Sequence, residues 1–215
     1  MLLEFILWNS SSIIEDIKCA EDLKSDMILF YYFDSKDAAK GDLRGLLASL
    51  LMQLGDSSGP FLDVVFQLYI KHGHGSEQPC EGALARLLKS LLERSQSSIY
   101  IIIDGVDNCP NSPNTNTGTK SARKKVLEFL EGIVRSRYSN LYICITSSPE
   151  GDMQRSLKIL APSSRRVILH EQKGQMEDIE SYISHFIQND TDMQTWPAGD
   201  KDLVFKTLSE RASGM

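Results

Sequence analysis

The chain has 215 residues, 41% of them hydrophobic and 24% charged, with a formal net charge of −6. That is one domain or one and a half small ones, long enough to bury a sizeable core, and the composition is globular rather than that of a disordered chain. The acidic balance, with no basic stripe, excludes a nucleic-acid footprint. The longest apolar run, Met27 to Phe33, is too short to span a bilayer as a helix, so no membrane partner is expected. Cys19, Cys80, Cys109 and Cys144 make no C-x-x-C spacing. Neither a zinc site nor a disulfide framework is expected, and reduced thiols point to the cytosol or nucleus, with a cytoplasmic location as the default.

In chain order, the apolar start around residues 4–8 carries Glu4 and lacks a basic segment, so it reads as a strand rather than a signal peptide. Ser12 to Glu15 has the spacing of a capping box that opens a first helix. Residues 28–34, 99–104, 141–146 and 166–170 are short apolar runs, and runs apolar on both faces belong to covered strands of a parallel sheet. Between them lie helical stripes: Leu43, Leu46, Leu47, Leu50, Leu51 and Leu54; then Leu62, Val65, Phe66 and Tyr69; then Leu84, Leu87, Leu88, Leu91 and Leu92; then Val126, Leu127, Leu130, Ile133 and Val134. A further stripe, Met176, Ile179, Tyr182, Ile183, Phe186 and Ile187, opens a separate helical part. Loops are expected at Gly55 to Pro60, at Gly73 to Pro79 and at Asn108 to Thr119. Strand and helix alternate, which predicts a three-layer α/β fold with a parallel sheet over 1–172 and the start of a helical annex over 173–215.

The string most loaded with chemistry is Ile101 to Asp107. A buried strand delivers Asp104 at its C-terminal edge, where ligands of open α/β sheets bind. Such an aspartate can hold the magnesium of a nucleotide through water, and Asp107 could orient a water beside it. His72 and His74 read as a solvated turn rather than as metal ligands. Lys120 to Lys125 reads as the exposed basic face of a helix. Trp8 and Trp196 read as core or annex anchors. No G-x-S-x-G elbow is present.

Several strings, in order, resemble the NACHT-type signalling NTPases of fungi and the related nephrocystin 3-like N-terminal domain, both of the STAND class of P-loop NTPases. Ser11 to Ile17 resembles the helix after the phosphate loop, and Phe30 to Asp34 the second strand. Tyr100 to Asp107 resembles the Walker B strand, and Asn140 to Ser147 the strand carrying the sensor. Trp196-Pro197 and Ser213 to Met215 resemble the helical annex. The resemblance covers about Phe5 to Met215. It implies a P-loop NTPase fold, Mg-ATP or Mg-GTP as cofactor in intact relatives, and a switch that hydrolyses slowly and assembles through its bound state. It also implies Asp104 as magnesium ligand, with Asp104 and Thr146 at the nucleotide.

The sequence departs from that pattern where the phosphates would sit. The motif G-x-x-x-x-G-K-[ST] cradles phosphates with backbone N–H groups and a lysine. Here Phe5 to Trp8 runs almost directly into Ser12, and no Gly-Lys-Ser or Gly-Lys-Thr occurs anywhere. Asn108 stands where the acid pair normally continues into a glutamate, and Ser148 where an arginine is common. Asp104, Asp107 and Thr146 are therefore expected to be vestigial, with no cofactor and no hydrolysis. The expected role is protein association, including self-association. Two alternatives stand beside it: a mis-joined fragment of an ATP- or GTP-binding switch of the innate-immunity or heterokaryon-incompatibility type, and an NTPase with an unrecognised phosphate site. Low local order before about Ser12, and a last helix that stops at Met215 without a natural end, are further expectations.

Overall fold

The computed structural model describes residues 3–4, 26–57, 59–112, 120–148, 151–161 and 173–211. The chain divides into two compact units, Met1–Arg166 and Val167–Met215. The strand expected at 166–170, the helix expected from Ser12, the order of the segment before it and Trp8 all lie outside the described residues.

The first unit is built on a parallel sheet of four strands in the order β1-β4-β3-β2. They are β1 (Leu3–Glu4), β2 (Met27–Tyr32), β3 (Ile99–Asp104) and β4 (Leu141–Ile145). β3 lies between β2 and β4, as its apolar run predicts. Leu29 pairs with Ile101, and Ile101 with Ile143. Side chains alternate along a strand, so Leu29, Tyr31, Ile101, Ile103, Ile143 and Ile145 share one face. All are buried, with Ile101 4% and Ile103 0% exposed. The other face carries Phe30, Tyr32, Tyr100 and Tyr142 and is only partly covered. Tyr100 and Tyr142 stack across the strands with ring centres 4.8 Å apart. The strand expected at 4–8 is described only as β1, where Leu3 and Glu4 pair with Ile143 and Cys144.

Four helices carry the apolar stripes of the first unit: α1 (Leu43–Ser57), α2 (Gly59–Lys71), which packs on α1, α3 (Glu81–Arg94) and α4 (Ala122–Ser136). All six α1 leucines named above are buried, as are Leu84, Leu88, Leu91 and Leu92 of α3 and Val126, Leu130 and Ile133 of α4. Each fully buried leucine contributes about 1.5–3 kcal/mol relative to exposure. α1 and α2 approach closely at Gly55, where an added Cβ would lie 3.6 Å from Val65 and 3.7 Å from Leu62.

Four readings need correction. Gly55 is inside α1, which runs to Ser57, and Pro60 is inside α2, which starts at Gly59, so the expected loop from Gly55 to Pro60 is mostly helix. α2 packs through Phe61, Val64, Val65 and Leu68, so of the predicted stripe Leu62, Val65, Phe66 and Tyr69 only Val65 is among the packing residues and the other three are exposed. It is apolar nearly all round, so periodicity alone cannot choose its inner face. A helix the stripes did not predict, α5 (Gly151–Leu160), buries Met153, Leu157 and Leu160. Trp196 anchors nothing in a core and is exposed.

The second unit is helical, with α6 (Lys173–Asn189), α7 (Thr191–Gln194) and α8 (Ala198–Arg211). α6 packs on α8. Ile183 and Ile187 of its stripe are buried, while Tyr182 and Phe186 are exposed. Asp190 caps α7 by accepting from the N–H groups of Asp192 and Met193 at 3.0 Å. Among the described residues no helix is long and apolar enough to cross a membrane.

Candidate functional site

β3 and β4 run in parallel register, with Ile103 opposite Ile145. The next residues, Asp104 and Thr146, therefore emerge side by side on the same face at the C-terminal edge. The Thr146 hydroxyl donates to Asp104 Oδ1. It also accepts from the Gly105 N–H at 3.0 Å. Gly105 sits at φ 65° and ψ 44°, the left-handed region that glycine enters without a Cβ penalty. That turn starts the 3-10 turn Val106–Asn108 and swings Asp107 toward the segment after β4.

There the Asp107 carboxylate is occupied on both oxygens. Ser148 donates its N–H to Oδ1 at 2.9 Å and its hydroxyl to Oδ2 at 2.7 Å. The Val106 N–H donates to the Thr146 carbonyl at 3.2 Å. The two acids thus bind the loop after β3 to the loop after β4. Asp104 Oδ2 has no protein donor among the described residues, so it is the one open carboxylate oxygen of the pair.

The same loop is held from two other directions. Asn108 Nδ2 reaches the Phe33 carbonyl at 3.5 Å, and Cys109 Sγ donates to the Gly41 carbonyl at 3.1 Å. Arg123 is turned inward from the first turn of α4, only 7% exposed. Its Nε donates to the Cys109 carbonyl at 2.9 Å, its Nη2 to the Asp107 carbonyl, and its N–H to the Pro110 carbonyl at 3.0 Å. This corrects the reading of Lys120 to Lys125 as a wholly exposed basic face. Arg123 is the residue sequence reasoning missed. Its one signal is position, since Ser121 caps α4 by accepting from the Lys124 N–H at 3.2 Å, which places residue 123 in the first turn.

Burial pushes the Cys109 thiol up to about 12, with Arg123 opposing and Asp42 adding. A thiol so held is a neutral donor rather than a nucleophile. Burial likewise raises Tyr31 to about 12, with Asp42 next in effect. Cys80 is exposed and Cys144 half-buried, and neither forms a disulfide among the described residues. His74 sits at φ 56° with its ring edge-on to Tyr69. Among the described residues no three His, Cys, Asp or Glu side chains converge as a metal cluster. A groove of about 360 Å³ between α4 and α5 is lined by Arg123, Lys124, Glu128, Glu131, Ser156 and Ile159, but not by Asp104, Asp107 or Thr146.

No curated protein matches the chain. The family described as Nephrocystin 3, N-terminal, matches residues 8–148, about two thirds of the sequence, and this span takes in the parallel sheet from β2 onward, Asp104, Asp107, Thr146 and Ser148. The chain belongs to the nephrocystin 3 N-terminal family.

Proposed function

We propose that this chain is a degenerate nucleotide-binding-type module that does not hydrolyse ATP or GTP and works by associating with proteins. The observation that carries the reading is the saturation of Asp107 by Ser148 together with the Thr146 bond to Asp104. In a working site these carboxylates would face a metal and a water. Here three of their four oxygens accept hydrogen bonds from the chain itself. A Mg²⁺ ion parts with its waters reluctantly and needs several hard oxygens, one or two of them from carboxylates with phosphates supplying others. One open oxygen on Asp104, without a phosphate cradle, does not fit such an ion. The sequence supplies no Gly-Lys-Ser or Gly-Lys-Thr, and a triphosphate approaching two anions would be repelled.

The strand order β1-β4-β3-β2 and the placement of an acid at the C-terminal end of β3 support an origin in the three-layer P-loop layout. What these residues now do is structural. Asp104, Asp107, Thr146 and Ser148 join the loop after β3 to the loop after β4. The retained placement of Asp104 and Thr146 also favours a second reading, a mis-joined product of a working switch whose phosphate loop was skipped between Trp8 and Ser12.

Titration calorimetry of the full chain with Mg-ATP and with Mg-GTP tests the first reading. No heat of binding is expected with either nucleotide. A low-micromolar dissociation constant that is lost on Asp104→Asn would overturn it. An in-frame Gly-Lys-Ser or Gly-Lys-Thr segment in the genomic DNA between the codons for Trp8 and Ser12 would establish the second reading.

A further inference from the structure

β2 (Met27–Tyr32) is the last strand in the order β1-β4-β3-β2, so one of its edges has no strand beside it. Backbone groups alternate in direction along a strand of a parallel sheet. The Met27 and Phe33 N–H groups turn inward, to the Ser98 and Asp104 carbonyls at 2.9 and 3.0 Å. Ile28, Phe30 and Tyr32 therefore turn their N–H and C=O groups outward. At Phe30 both groups are taken by one side-chain amide. Gln53 Oε1 accepts the Phe30 N–H at 2.9 Å, and Gln53 Nε2 donates to the Phe30 carbonyl at 2.8 Å. These are the two bonds that one residue of an added strand would make. The outward groups of Ile28 and Tyr32, on either side, meet no hydrogen-bonding group among the described residues.

We infer that the outer edge of β2 takes an extended segment of a partner protein as a fifth strand, apolar in its middle and basic at both ends, with Gln53 as the gate that the docked strand displaces. The recognition groups of the edge are backbone groups at strand spacing, which select extended backbone. The Gln53 amide shows that the middle residue receives an amide through both of its groups at once. The gate opens without stranding its nitrogen, because Nε2 also donates to the Ser49 carbonyl at 3.3 Å and to Ser49 Oγ at 3.0 Å. The side chains of Ile28, Phe30 and Tyr32 share one face. There Phe30 is 36% exposed and its ring meets Tyr32 edge-on at 5.8 Å. Such a row favours apolar side chains opposite it.

Charge chooses a basic partner over a second copy. Asp26 and Asp34 flank the edge, four residues before and four after Phe30. Asp34 is exposed, with Oδ1 accepting the Lys36 N–H at 2.9 Å, and Asp26 is half-buried. Two copies paired antiparallel through all three outward residues would be centred on Phe30. That register sets Asp26 of each copy opposite Asp34 of the other. Like charges directly opposite each other destabilise a strand pair, and each chain carries −6 overall. A segment with Lys or Arg at those two places turns both contacts from repulsive to attractive.

The inference names the partner chemistry of the association module and rests on that reading, but its test uses no nucleotide. The probe is a capped, dye-labelled peptide of nine residues, with Lys at both ends, Val at the other odd positions and Thr at the even ones. Fluorescence anisotropy against about 1 to 500 μM of the full chain covers weak binding, and a dissociation constant of about 100 μM is expected. Gln53→Ala is expected to bind about three- to tenfold tighter, because the competing amide is gone. Asp26→Lys combined with Asp34→Lys is expected to weaken binding about threefold or more. The same peptide with Glu at both ends, or N-methylated on its five central residues, is expected not to bind. Both peptide controls use the native chain, so they report whether or not the variants fold. No binding to the native chain or to Gln53→Ala overturns the inference, and so does equal binding of the methylated or the Glu-ended peptide. A dimer of the chain alone, seen by sedimentation velocity and dissociated by the peptide, gives the edge to a second copy and overturns it too. Failure of the peptide strikes this inference alone, whereas nucleotide binding in the calorimetric titration strikes the reading on which it rests.

Discussion

Ser148 ties the loop after β4 to the loop after β3 with two donors of one residue. Its N–H and hydroxyl both donate to Asp107 across 41 positions of sequence. Truncating Asp107→Ala leaves both donors without their acceptor, which costs about 1–3 kcal/mol for a partly buried group. Asp107→Asn is expected to cost about half of that or less, because the amide oxygen keeps one bond and the Ser148 hydroxyl can rotate to accept from the new NH₂. Urea unfolding of the two variants measures the difference, and equal losses would show that Ser148 contributes nothing through this contact. The sequence made part of this legible. A carboxylate at the end of a β-branched strand and a threonine at the end of another are visible in one dimension. Their meeting depends on the register of β3 against β4, and the Asp107–Ser148 contact depends on a left-handed turn at Gly105 as well. Arg123 was hidden for a different reason. It lies among Lys120, Lys124 and Lys125, where a guanidinium buried against carbonyls looks the same as a solvated one.

The strands and the leucine-rich helices were legible because one pattern governed each. Six leucines on one face of α1 admit one inner side, and β3 has no polar residue before Asp104. α2 was legible as a helix but not in its orientation, since apolar residues surround it. α5 was missed because only Met153, Leu157 and Leu160 mark its inner face in a 10-residue helix. The edge of β2 is an element-level problem solved by one residue of α1. Gln53 makes both bonds to Phe30 that a neighbouring strand would make, and its Nε2 is steadied by Ser49 Oγ at 3.0 Å. Gln53→Ala should lower stability by about 1 kcal/mol, because the Phe30 groups are near solvent and find water. The larger effect should be faster aggregation on warming, since an apolar strand edge is then open. Light scattering during a thermal ramp checks this, and an unchanged onset in Gln53→Ala would mean that the edge is protected by something else.

At the scale of the whole molecule, alkaline pH should loosen the first unit through one seam. The Cys109 thiol donates to the Gly41 carbonyl and the Tyr31 hydroxyl reaches the Ala39 carbonyl at 3.5 Å. Both groups thus hold the 3-10 turn Ala38–Lys40 and its neighbour against the sheet end. Burial, with Asp42 adding in both cases, pushes each to about 12 from ordinary values of 9.0 for the thiol and 10.0 for the phenol. Between the ordinary and the raised value, the folded chain keeps a proton that the unfolded chain has lost. The folded state then binds more protons than the unfolded one, so stability falls as pH rises. These two groups contribute fully below pH 9. The thiol contribution declines from about pH 9 and the phenol contribution from about pH 10, and both are spent near pH 12. Cys109→Ala removes the first limb only. Its stability should be lower than that of the native chain at neutral pH, through the small cavity and the lost bond. The gap to the native chain should then narrow between pH 9 and 10, where only the native chain has the buried Cys109 thiol to lose. Denaturant midpoints at closely spaced pH values from 7 to 11, for the native chain and for Cys109→Ala, make the comparison. Parallel curves across pH 9 to 10 would show that Cys109 is not held protonated by the fold.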